Sequence, residues 1–454
     1  MNLQSTTRER ISLGLLAILT VFLYADQNLM APNLSMIASD FGLSATERDL
    51  MLGGQISFGF FLIGGLVAIV IGRLADRLHR VRLLTLLTIL GELPCAATLF
   101  VETFEELFVL RMLTGIAIGG AAPLTYSLVG DMVGSKKRPL IAGLLLTAVG
   151  CGILCGQLLA GFIGESHGWR LPFVLVALPN IALAILFGLT TREPTRGARD
   201  SHTLLVGGGR SLRSLLRIES NRLLLLQGIA GSLPWAMIFV FLNDYLAQDC
   251  GLGIERATIV IASLGLSALV GAAFGGIIGS RLYSQSAVSL PWICTLSTCV
   301  APIPLLVLLN LSFANPESTV VTASLLGAMT GLSAALAGPN LRAMLLNINP
   351  ADSRGSMMAL ATLTDDLGKG LGPAFISLLI VSLGRTTALH IATLCWVVSA
   401  LIMLRLVRSF PRDEHAPPQP TAGTSPYDIA SGARPSPASI VLTFCGQPEI
   451  RRLK

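Results

Sequence analysis

The fold is decided at residues 72–82, which read Gly72-Arg73-Leu74-Ala75-Asp76-Arg77-Leu78-His79-Arg80-Val81-Arg82. This segment carries four arginines and one aspartate and lies between two long apolar runs. An apolar run of about 20 residues is long enough to cross a bilayer as a helix. Short basic loops between such runs are typical of the cytoplasmic side of a membrane protein. The segment therefore predicts two membrane helices joined by a cytoplasmic loop.

The composition extends this prediction to the whole chain. Only 13% of the 454 residues are charged and 52% are hydrophobic, whereas a soluble protein has roughly 25% charged residues. A soluble multidomain fold is therefore excluded, and the sequence predicts an all-α membrane protein with twelve transmembrane helices. The predicted spans are about 11–37, 50–72, 82–102, 105–133, 139–164, 170–191, 223–248, 257–280, 287–312, 319–347, 355–383 and 387–408.

Basic residues are concentrated in alternate loops. They occur at 77–82, at 136–138 and along 192–217, whereas the other loops carry acidic residues such as Glu105 and Asp249. Because basic loops remain in the cytoplasm, this pattern predicts a multi-pass protein of the plasma (inner) membrane with both termini inside. The same loops account for the net charge of +6, and no nucleic-acid partner is predicted.

The residue types that form catalytic sites are scattered. Eight cysteines include no Cys-x-x-Cys pair, and the five histidines form no metal-binding or acyltransferase pattern. The sequence also lacks a phosphate-binding loop, a dinucleotide fingerprint and a serine nucleophile elbow. We therefore expect no enzyme activity, no metal and no cofactor, and a proton gradient is the candidate source of energy.

An internal repeat divides the chain into two halves. The two copies share an offset of 216 residues, which places Thr114-Gly115, Pro123, Asp131 and Arg138 on Thr330-Gly331, Pro339, Asn347 and Arg354. Such a repeat predicts two pseudo-symmetric six-helix bundles with a substrate site near the bilayer midplane between them. The predicted parts are residues 1–191, a cytoplasmic linker at 192–222, residues 223–409, and a disordered cytoplasmic tail at 410–454.

The loop at 72–82 resembles the signature loop of the major facilitator superfamily, although His79 stands where that family usually has glycine. The resemblance implies the major facilitator fold and a gate on the cytoplasmic side. Gly72 is expected to permit close helix approach, and Asp76 to form a contact that breaks when the inside opens. The implied gate residues are Gly72, Asp76, Arg77, Arg80 and, at companion positions in the fourth span, Arg111 and Asp131.

A narrower resemblance, mainly in the first half, is to the Spinster-like branch of that superfamily. It rests on Tyr24-Ala25-Asp26-Gln27-Asn28, on the glycine ladder at 149–156 and on the start of the linker at 192–197. Gln27 replaces an arginine usual in the branch, and Ile118 replaces an acidic residue. The acid–base partnership implied for proton coupling is therefore incomplete, and Asp26 is the remaining candidate in the first half.

A few charged residues lie deep in predicted spans, where a charge is costly and usually has a function. Asp26 lies about 15 residues into the first span, and a structural hydrogen-bonded aspartate is the alternative. In the eleventh span, Lys369 is positioned to pair with Asp365 or Asp366, either in a substrate site or in a salt-bridge network that closes an inner gate. The predicted coupling or substrate-binding residues are Asp26, Arg342, Asp365, Asp366, Lys369 and Tyr126.

Four further polar residues are secondary candidates. Asp244 and its neighbour Asn243 lie near the outer end of the seventh span, where they suit an outer gate or an interfacial cap. Glu92 lies in the third span, which in this fold usually packs outside the cavity. Gln55 is a candidate polar contact in the second span.

The Spinster-like resemblance implies alternating-access transport of an amphipathic lipid of the lysophospholipid or sphingoid type. The missing acidic residue leaves a small organic anion or a drug as the alternative substrate. A membrane receptor that does not transport is the third hypothesis, and the repeat and the charged residues at depth favour transport over it. We expect the partners to be the lipid bilayer and a small-molecule or lysolipid substrate, with the protein acting as a monomer.

Overall fold

The structure is a computed structural model that describes residues 3–75, 77–133, 138–195, 212–312, 316–349 and 354–414. These residues contain twelve helical segments that are long and apolar enough to cross a membrane. Each segment coincides with one predicted span, because a helix satisfies its own backbone hydrogen bonds in lipid and needs only an apolar surface. The prediction of an all-α, twelve-span membrane fold is confirmed.

The first six spans contain eight α-helices. They are α1 (Leu3–Asp26), α2 (Leu34–Asp40), α3 (Ala45–Glu47), α4 (Ile56–Ala75), α5 (Arg80–Ala97), α6 (Phe104–Met132), α7 (Arg138–His167) and α8 (Leu171–Thr190). Short 3-10 turns at Ala31–Asn33 and Thr98–Phe100 and a π-helical stretch at Arg48–Gln55 complete these spans.

The second half begins with a short linker helix and contains the other six spans. Its helices are α9 (Leu212–Leu215), α10 (Glu219–Met237), α11 (Ile254–Tyr283), α12 (Ser289–Val300), α13 (Pro302–Leu309), α14 (Pro316–Ala335), α15 (Ala337–Ile348), α16 (Arg354–Leu383) and α17 (Arg385–Glu414). Two π-helical stretches, Ile238–Leu242 and Tyr245–Asp249, extend α10.

The helices define two sides of the molecule. We call the side with the loops at 77–79 and 191–195 the linker side. We call the side with the loops at 41–44 and 250–253 the far side. With twelve spans, the described ends of the chain at Leu3 and Glu414 both lie on the linker side. The two halves meet where α4 packs against α16 and where α7 packs against α11.

The first span is broken near its middle, which the sequence did not predict. Helix α1 ends at Asp26, a 3-10 turn covers Ala31–Asn33, and α2 follows. Pro32 lacks the N–H that a continuous helix would donate to the carbonyl of Asn28, so the helix cannot run through this point. The break leaves main-chain groups exposed at membrane depth, where they need partners from other spans.

The glycine ladder at 149–156 brings two helices into backbone contact. A Cβ atom at Gly152 or Gly156 would collide with the main-chain oxygens of Val21 and Ala25, respectively. Helix α7 therefore packs directly against α1 beside its broken end. In the second half, a Cβ atom at Gly368 would collide with Ser232 of α10, so the same type of close packing joins α16 to α10.

Two predicted boundaries are corrected. The tail was predicted to begin at residue 410, but α17 continues to Glu414 and Phe410 is buried. Arg412 pairs with Glu219 at 2.8 Å, which anchors this last turn. The linker was predicted to extend to residue 222, but α10 already begins at Glu219. Residues 196–211 of the linker and 415–454 of the tail lie outside the described residues.

Candidate functional site

A cavity lies between the two halves near the middle of the membrane spans. Its volume is about 590 Å³, including the space open to solvent. Aromatic and aliphatic side chains form most of its wall, and two basic residues, Arg111 and Lys369, also line it. The wall includes Gln27, Asn28, Phe60, Phe61 and Arg111 from the first half and Ala236, Phe239, Val240 and Lys369 from the second.

Asp26 and Arg111 form a buried ion pair at the broken end of α1. Arg111 Nη1 donates to Asp26 Oδ1 at 2.6 Å, and Nη2 donates to the main-chain oxygen of Asp26 at 3.1 Å. The guanidinium also lies 5.1 Å from the ring centre of Phe60 and 5.5 Å from that of Phe173. Arg111 therefore neutralises the carboxylate and satisfies the carbonyl that the break exposes, where the helix dipole also favours a cation.

This position corrects the grouping of Arg111 with the linker-side gate. Arg111 is only seven residues into α6 from its far-side end, and it packs inside the first half rather than against the loop at 72–82. It supplies the basic partner that Gln27 does not. The partnership was missed because Arg111 follows Asp26 by 85 residues and only helix packing brings them together.

A second carboxylate, Glu92 of α5, lies beside this pair. Carboxylate oxygens of Asp26 and Glu92 and the sulfur of Cys95 lie within 4.8 Å of one another, and all three residues are buried. Cys95 Sγ donates to Asp26 Oδ1 at 3.0 Å, and Asn180 Nδ2 donates to Glu92 Oε1 at 2.5 Å. The cluster therefore holds two carboxylates and one guanidinium, although Glu92 does not line the central cavity.

The charged residues of the eleventh span lie on the opposite wall. Lys369 Nζ pairs with Asp366 Oδ1 at 3.0 Å, and these side chains are 40% and 44% exposed. Asp365 instead faces α10, where its Oδ1 lies against Gly228. Of the two predicted partners of Lys369, the structure uses the one three residues away. Adjacent aspartates on a helix diverge by about 100°, so only one of them faces the lysine.

Arg342 of α15 and Tyr126 of α6 lie toward the linker-side ends of their helices, and neither lines the central cavity. Arg342 interacts electrostatically with Asp365 and Tyr24, and Tyr126 also interacts with Tyr24. Within the described part of the chain, Arg342 forms no ion pair shorter than 4.0 Å. The structure thus brings the predicted second-half residues together, and Tyr126 (46% exposed) lies at their linker-side edge.

A second cavity of about 680 Å³, including its open mouth, lies between α7 and α11. Leu154, Ile261 and Leu264 are typical of its lining, and Gln157 is its main polar side chain. Phe239 lines both this cavity and the central one and stacks on Trp235 with ring centres 5.6 Å apart. One aromatic side chain therefore lies between a cavity with two basic residues in its wall and one that is almost wholly apolar.

On the far side, a mostly buried network of charges joins the two halves, with Asp249 as its exposed member. Arg385 of α17 lies 2.7 Å from Asp244, 2.5 Å from Asp249 and 3.1 Å from Asp49. Asp49 belongs to the first half, and Arg48 beside it approaches Asp244 at 3.6 Å. Asp244 is fully buried. The network closes the far side, and it includes the predicted outer-gate residue Asp244.

Ser35 adds an uncharged link to the same closure. Its main-chain N–H and its hydroxyl each donate to Asp244 at 2.9 Å. Asn243, the neighbouring candidate, instead donates to Thr258 at 3.2 Å within the second half. Gln55 is exposed and does not line the central cavity. Of the candidates near the far side, Asp244 bridges the halves, whereas Asn243 holds its own half together.

On the linker side, Arg80 holds the start of the linker. It pairs with Asp131 of α6 at 2.5 Å and with Glu193 at 2.8 Å, and Glu193 also accepts from the Val81 N–H at 2.9 Å. Burial alone would raise the pKa of Glu193, but these hydrogen bonds outweigh it and hold the pKa below its ordinary value. All of these residues belong to the first half and the linker, so the contact anchors the linker rather than bridging the halves.

The structure places two of the remaining gate residues, Gly72 and Arg77. Arg77 is exposed, and Asp76 lies outside the described residues. Among the described residues, no atom lies within 4 Å of the position of a Gly72 Cβ, so the expected close helix approach at Gly72 is absent.

Several residues of the site were not predicted from the sequence. Asn28 lines the central cavity, and its Nδ2 has no hydrogen-bond partner among the described residues. Arg385 and Asp49 carry the far-side network. A signal for Arg385 was present, because it is a basic residue in a set of loops that otherwise carries mainly acidic ones.

The chain has two halves of six spans, a cavity between them, and a charge network that closes the far side. These features define a membrane transporter that works by alternating access. The comparison with known families agrees. The profile of the Major Facilitator Superfamily matches residues 16–316, and the chain belongs to this superfamily.

Characterised relatives transport several kinds of compound. The cis,cis-muconate transport protein of Acinetobacter baylyi is 23% identical over 392 residues, which cover 84% of this chain and 90% of that protein. Multidrug resistance protein 1 of Bacillus subtilis is 29% identical over 193 residues, which cover 42% of this chain and 47% of that one. One of these relatives is named for transport of cis,cis-muconate and the other for resistance to several drugs.

Solved structures show the same fold. A bacterial homologue of the human lysosomal transporter Spinster, in an inward-facing and unoccupied conformation, superposes with a TM-score of 0.79 at 20% identity. The match covers 90% of this chain and 99% of that one. The D-xylose–proton symporter gives a TM-score of 0.72 at 15% identity, over 88% of this chain and 98% of that one. The chain thus resembles the Spinster branch.

Proposed function

We propose that this protein is a secondary active transporter of an amphipathic lipid with one acyl chain and an anionic head group, coupled to protons. The observation that carries the proposal is the pair of neighbouring cavities. One has basic residues in its wall, the other is almost wholly apolar, and Phe239 lines both. A molecule with a charged head and an apolar chain matches this division.

The head group would bind in the central cavity. Lys369 is the basic residue of its second-half wall and remains 40% exposed although it pairs with Asp366. An ammonium group binds a phosphate or carboxylate as a point charge through charge-assisted hydrogen bonds. The amide of Asn28, which has no partner among the residues described, supplies a further donor on the opposite wall.

The acyl chain would occupy the cavity between α7 and α11. Its lining is aliphatic and aromatic, and the cavity is partly open to the outside of the protein. Burying one methylene group contributes about 0.8 kcal/mol, so even part of an acyl chain would add substantially to binding. Rotation of Phe239 would connect this cavity with the central one.

Arg111 links the substrate to a proton. It lines the central cavity and at the same time neutralises Asp26. When Asp26 takes up a proton, Arg111 loses its counter-charge and becomes available to an anionic head group. Proton binding and anion binding therefore favour each other, which predicts that both move in the same direction.

A small organic acid is the second candidate substrate. The relative that matches along most of its length is named for transport of cis,cis-muconate, a dicarboxylate. Lys369 and Arg111 would suit such an ion, but the apolar cavity beside Phe239 would then have no occupant. We further propose a monomer in the inner (plasma) membrane with the linker side in the cytoplasm, because the basic loops lie on that side.

The test is transport in proteoliposomes containing the purified full chain. A labelled lysophosphatidylglycerol and labelled cis,cis-muconate are compared with Lys369→Met and with a control, Arg281→Gln, which removes an exposed charge of α11 away from the cavity. We expect lysolipid transport that Lys369→Met reduces by roughly 10- to 100-fold, as for loss of a hydrogen bond to a charged group. Transport of muconate without lysolipid would favour the second candidate.

A neutral single-chain lipid provides a further control. Lys369→Met should impair the anionic lysolipid more than lysophosphatidylcholine, whose head group carries no net charge. Equal losses for both lipids would reject Lys369 as the anion site.

A further inference from the structure

Glu92 has no part in the proposed binding of substrate, yet it is one of the most deeply buried charged residues of the chain. It is fully buried in the third span. Its Oε1 accepts from Asn180, and its Oε2 has no hydrogen-bond partner among the described residues. An unpaired carboxylate oxygen at this depth is strongly disfavoured, so its presence requires a physical reason.

The charges around Glu92 do not balance. The groups that interact with it are Asp26 of α1, Cys95 of its own helix, Arg111 of α6 and Asn180 of α8. With both carboxylates ionised and the thiol neutral, the cluster carries one negative charge in excess. No charged residue other than these is among the groups that act on Glu92 in the described structure.

One bound proton removes the excess charge. Arg111 and Cys95 already stabilise the ionised form of Asp26 by donating to Oδ1 at 2.6 and 3.0 Å. Glu92 receives only the Asn180 amide, which suits the carbonyl oxygen of a carboxylic acid and leaves Oε2 for the hydroxyl. The neighbouring guanidinium would repel a metal ion, whereas a proton adds its charge without needing a set of ligands.

We propose that Glu92 and Asp26 form a buried proton-binding site, with the proton on Glu92 Oε2 while Arg111 holds Asp26. Asp26 Oδ2 likewise has no partner among the described residues, so the two unpartnered oxygens belong to adjacent carboxyl groups. A small shift of either side chain lets the proton pass from Glu92 Oε2 to Asp26 Oδ2, which leaves Glu92 as the carboxylate and frees Arg111 toward the cavity. This inference rests on the proposed proton coupling and names a second residue in it.

Infrared spectroscopy of the purified full chain tests the site without any substrate. A protonated buried carboxyl group gives a C=O stretching band that is separate from the carboxylate bands and shifts in D₂O. We expect such a band in the wild-type protein at neutral pH and its loss in Glu92→Gln. The control Glu106→Gln, a capping residue at the exposed start of α6, should retain the band.

The net charge of the cluster also predicts how other substitutions change the carboxyl band. Asp26→Asn leaves one carboxylate and one guanidinium, so Glu92 should be ionised and the band lost. Arg111→Gln leaves two carboxylates without a cation, so a second carboxyl band should appear. Asn180→Leu removes the donor to Oε1 and should shift the band to higher frequency, which keeps the test available if Glu92→Gln fails to fold.

A wild-type band that persists unchanged in Glu92→Gln, or that Asn180→Leu does not shift, would overturn the proposal. Loss of the band on adding sodium at constant pH would assign the site to that cation instead. Because no substrate enters this experiment, its failure is distinguishable from failure of the lysolipid proposal, which only the transport assay tests.

Discussion

Replacing Arg385 by glutamine is expected to weaken the closure of the far side. Arg385 lies within 3.1 Å of Asp49, Asp244 and Asp249, and it connects the second half to Asp49 of the first. Without it, three carboxylates share one remaining base, Arg48. In a conformation that is open on the far side the same carboxylates would be hydrated, so the substitution penalises the closed conformation selectively.

The magnitude follows from the burial of these groups. Removing one partner of a buried ion pair costs about 3–5 kcal/mol, because an uncompensated charge is left behind. Since Arg48 remains and glutamine still donates a hydrogen bond, we expect the lower end, about 3 kcal/mol. That free energy corresponds to a change of roughly a hundredfold in the ratio of closed to open molecules.

Hydrogen–deuterium exchange of the purified full chain measures this change. We expect exchange through opening to become roughly a hundredfold faster in segments 34–49 and 243–253, which meet in the network. The matched control is Arg170→Gln, which also removes an arginine on the far side. Arg170 pairs with Asp40 at 2.6 Å, and both belong to the first half. Equal exchange in wild type and Arg385→Gln, or equal effects of the two variants, would refute the role of Arg385 in joining the halves.

Three further predictions concern the rest of the molecule. Arg111→Gln should lower the free energy of unfolding by about 3 kcal/mol, because it leaves Asp26 and Glu92 without their buried cation; thermal unfolding unchanged from wild type would contradict the charge-balance argument. Gly156→Leu should prevent α7 from packing against α1, because the leucine side chain would collide with the main chain of Ala25, whereas the side chain of Gly143→Leu would point into open space among the described residues. Identical size-exclusion profiles of the two variants would reject this contact. The pKa of Glu193 is lowered in the folded protein. Its contact with Arg80 should therefore stabilise the linker fully above the ordinary carboxyl pKa near 4.5, and this stabilisation should be lost as the pH falls through the lowered value. Hydrogen–deuterium exchange at 191–195 should show this pH dependence in wild type and lose it in Glu193→Gln.

The twelve spans could be predicted from the sequence because lipid imposes the same apolar length on every crossing helix. The break in the first span after Asp26 was harder to predict from the sequence. Pro32 was visible in the sequence, but prolines within α5, α6 and α16 leave those helices continuous. What distinguishes the first span is that Arg111 donates to the main-chain oxygen of Asp26 at the end of α1. A partner 85 residues away in the sequence is a property of packing.

The residues of the candidate site also divide into those that the geometry of one helix predicts and those that only packing between helices brings together. Asp366 and Lys369 were predicted together because a helix fixes the geometry of residues three positions apart. Arg111 and Arg385 act across helices, and their sequence neighbours do not reveal which carboxylates they reach. Glu92 was a secondary candidate because the third span lies outside the cavity, and only the full set of charges around Asp26 gives its carboxylate a role.

The central claim is that a proton and an amphipathic anion share Arg111, and simultaneous measurement of both fluxes tests it most directly. Proteoliposomes contain a pH-sensitive dye, and labelled lysophosphatidylglycerol is added outside at equal internal and external pH. We predict that lysolipid entry acidifies the lumen in wild type and that Asp26→Asn abolishes the acidification. Entry of lysolipid through the wild-type protein at an unchanged internal pH would contradict the account.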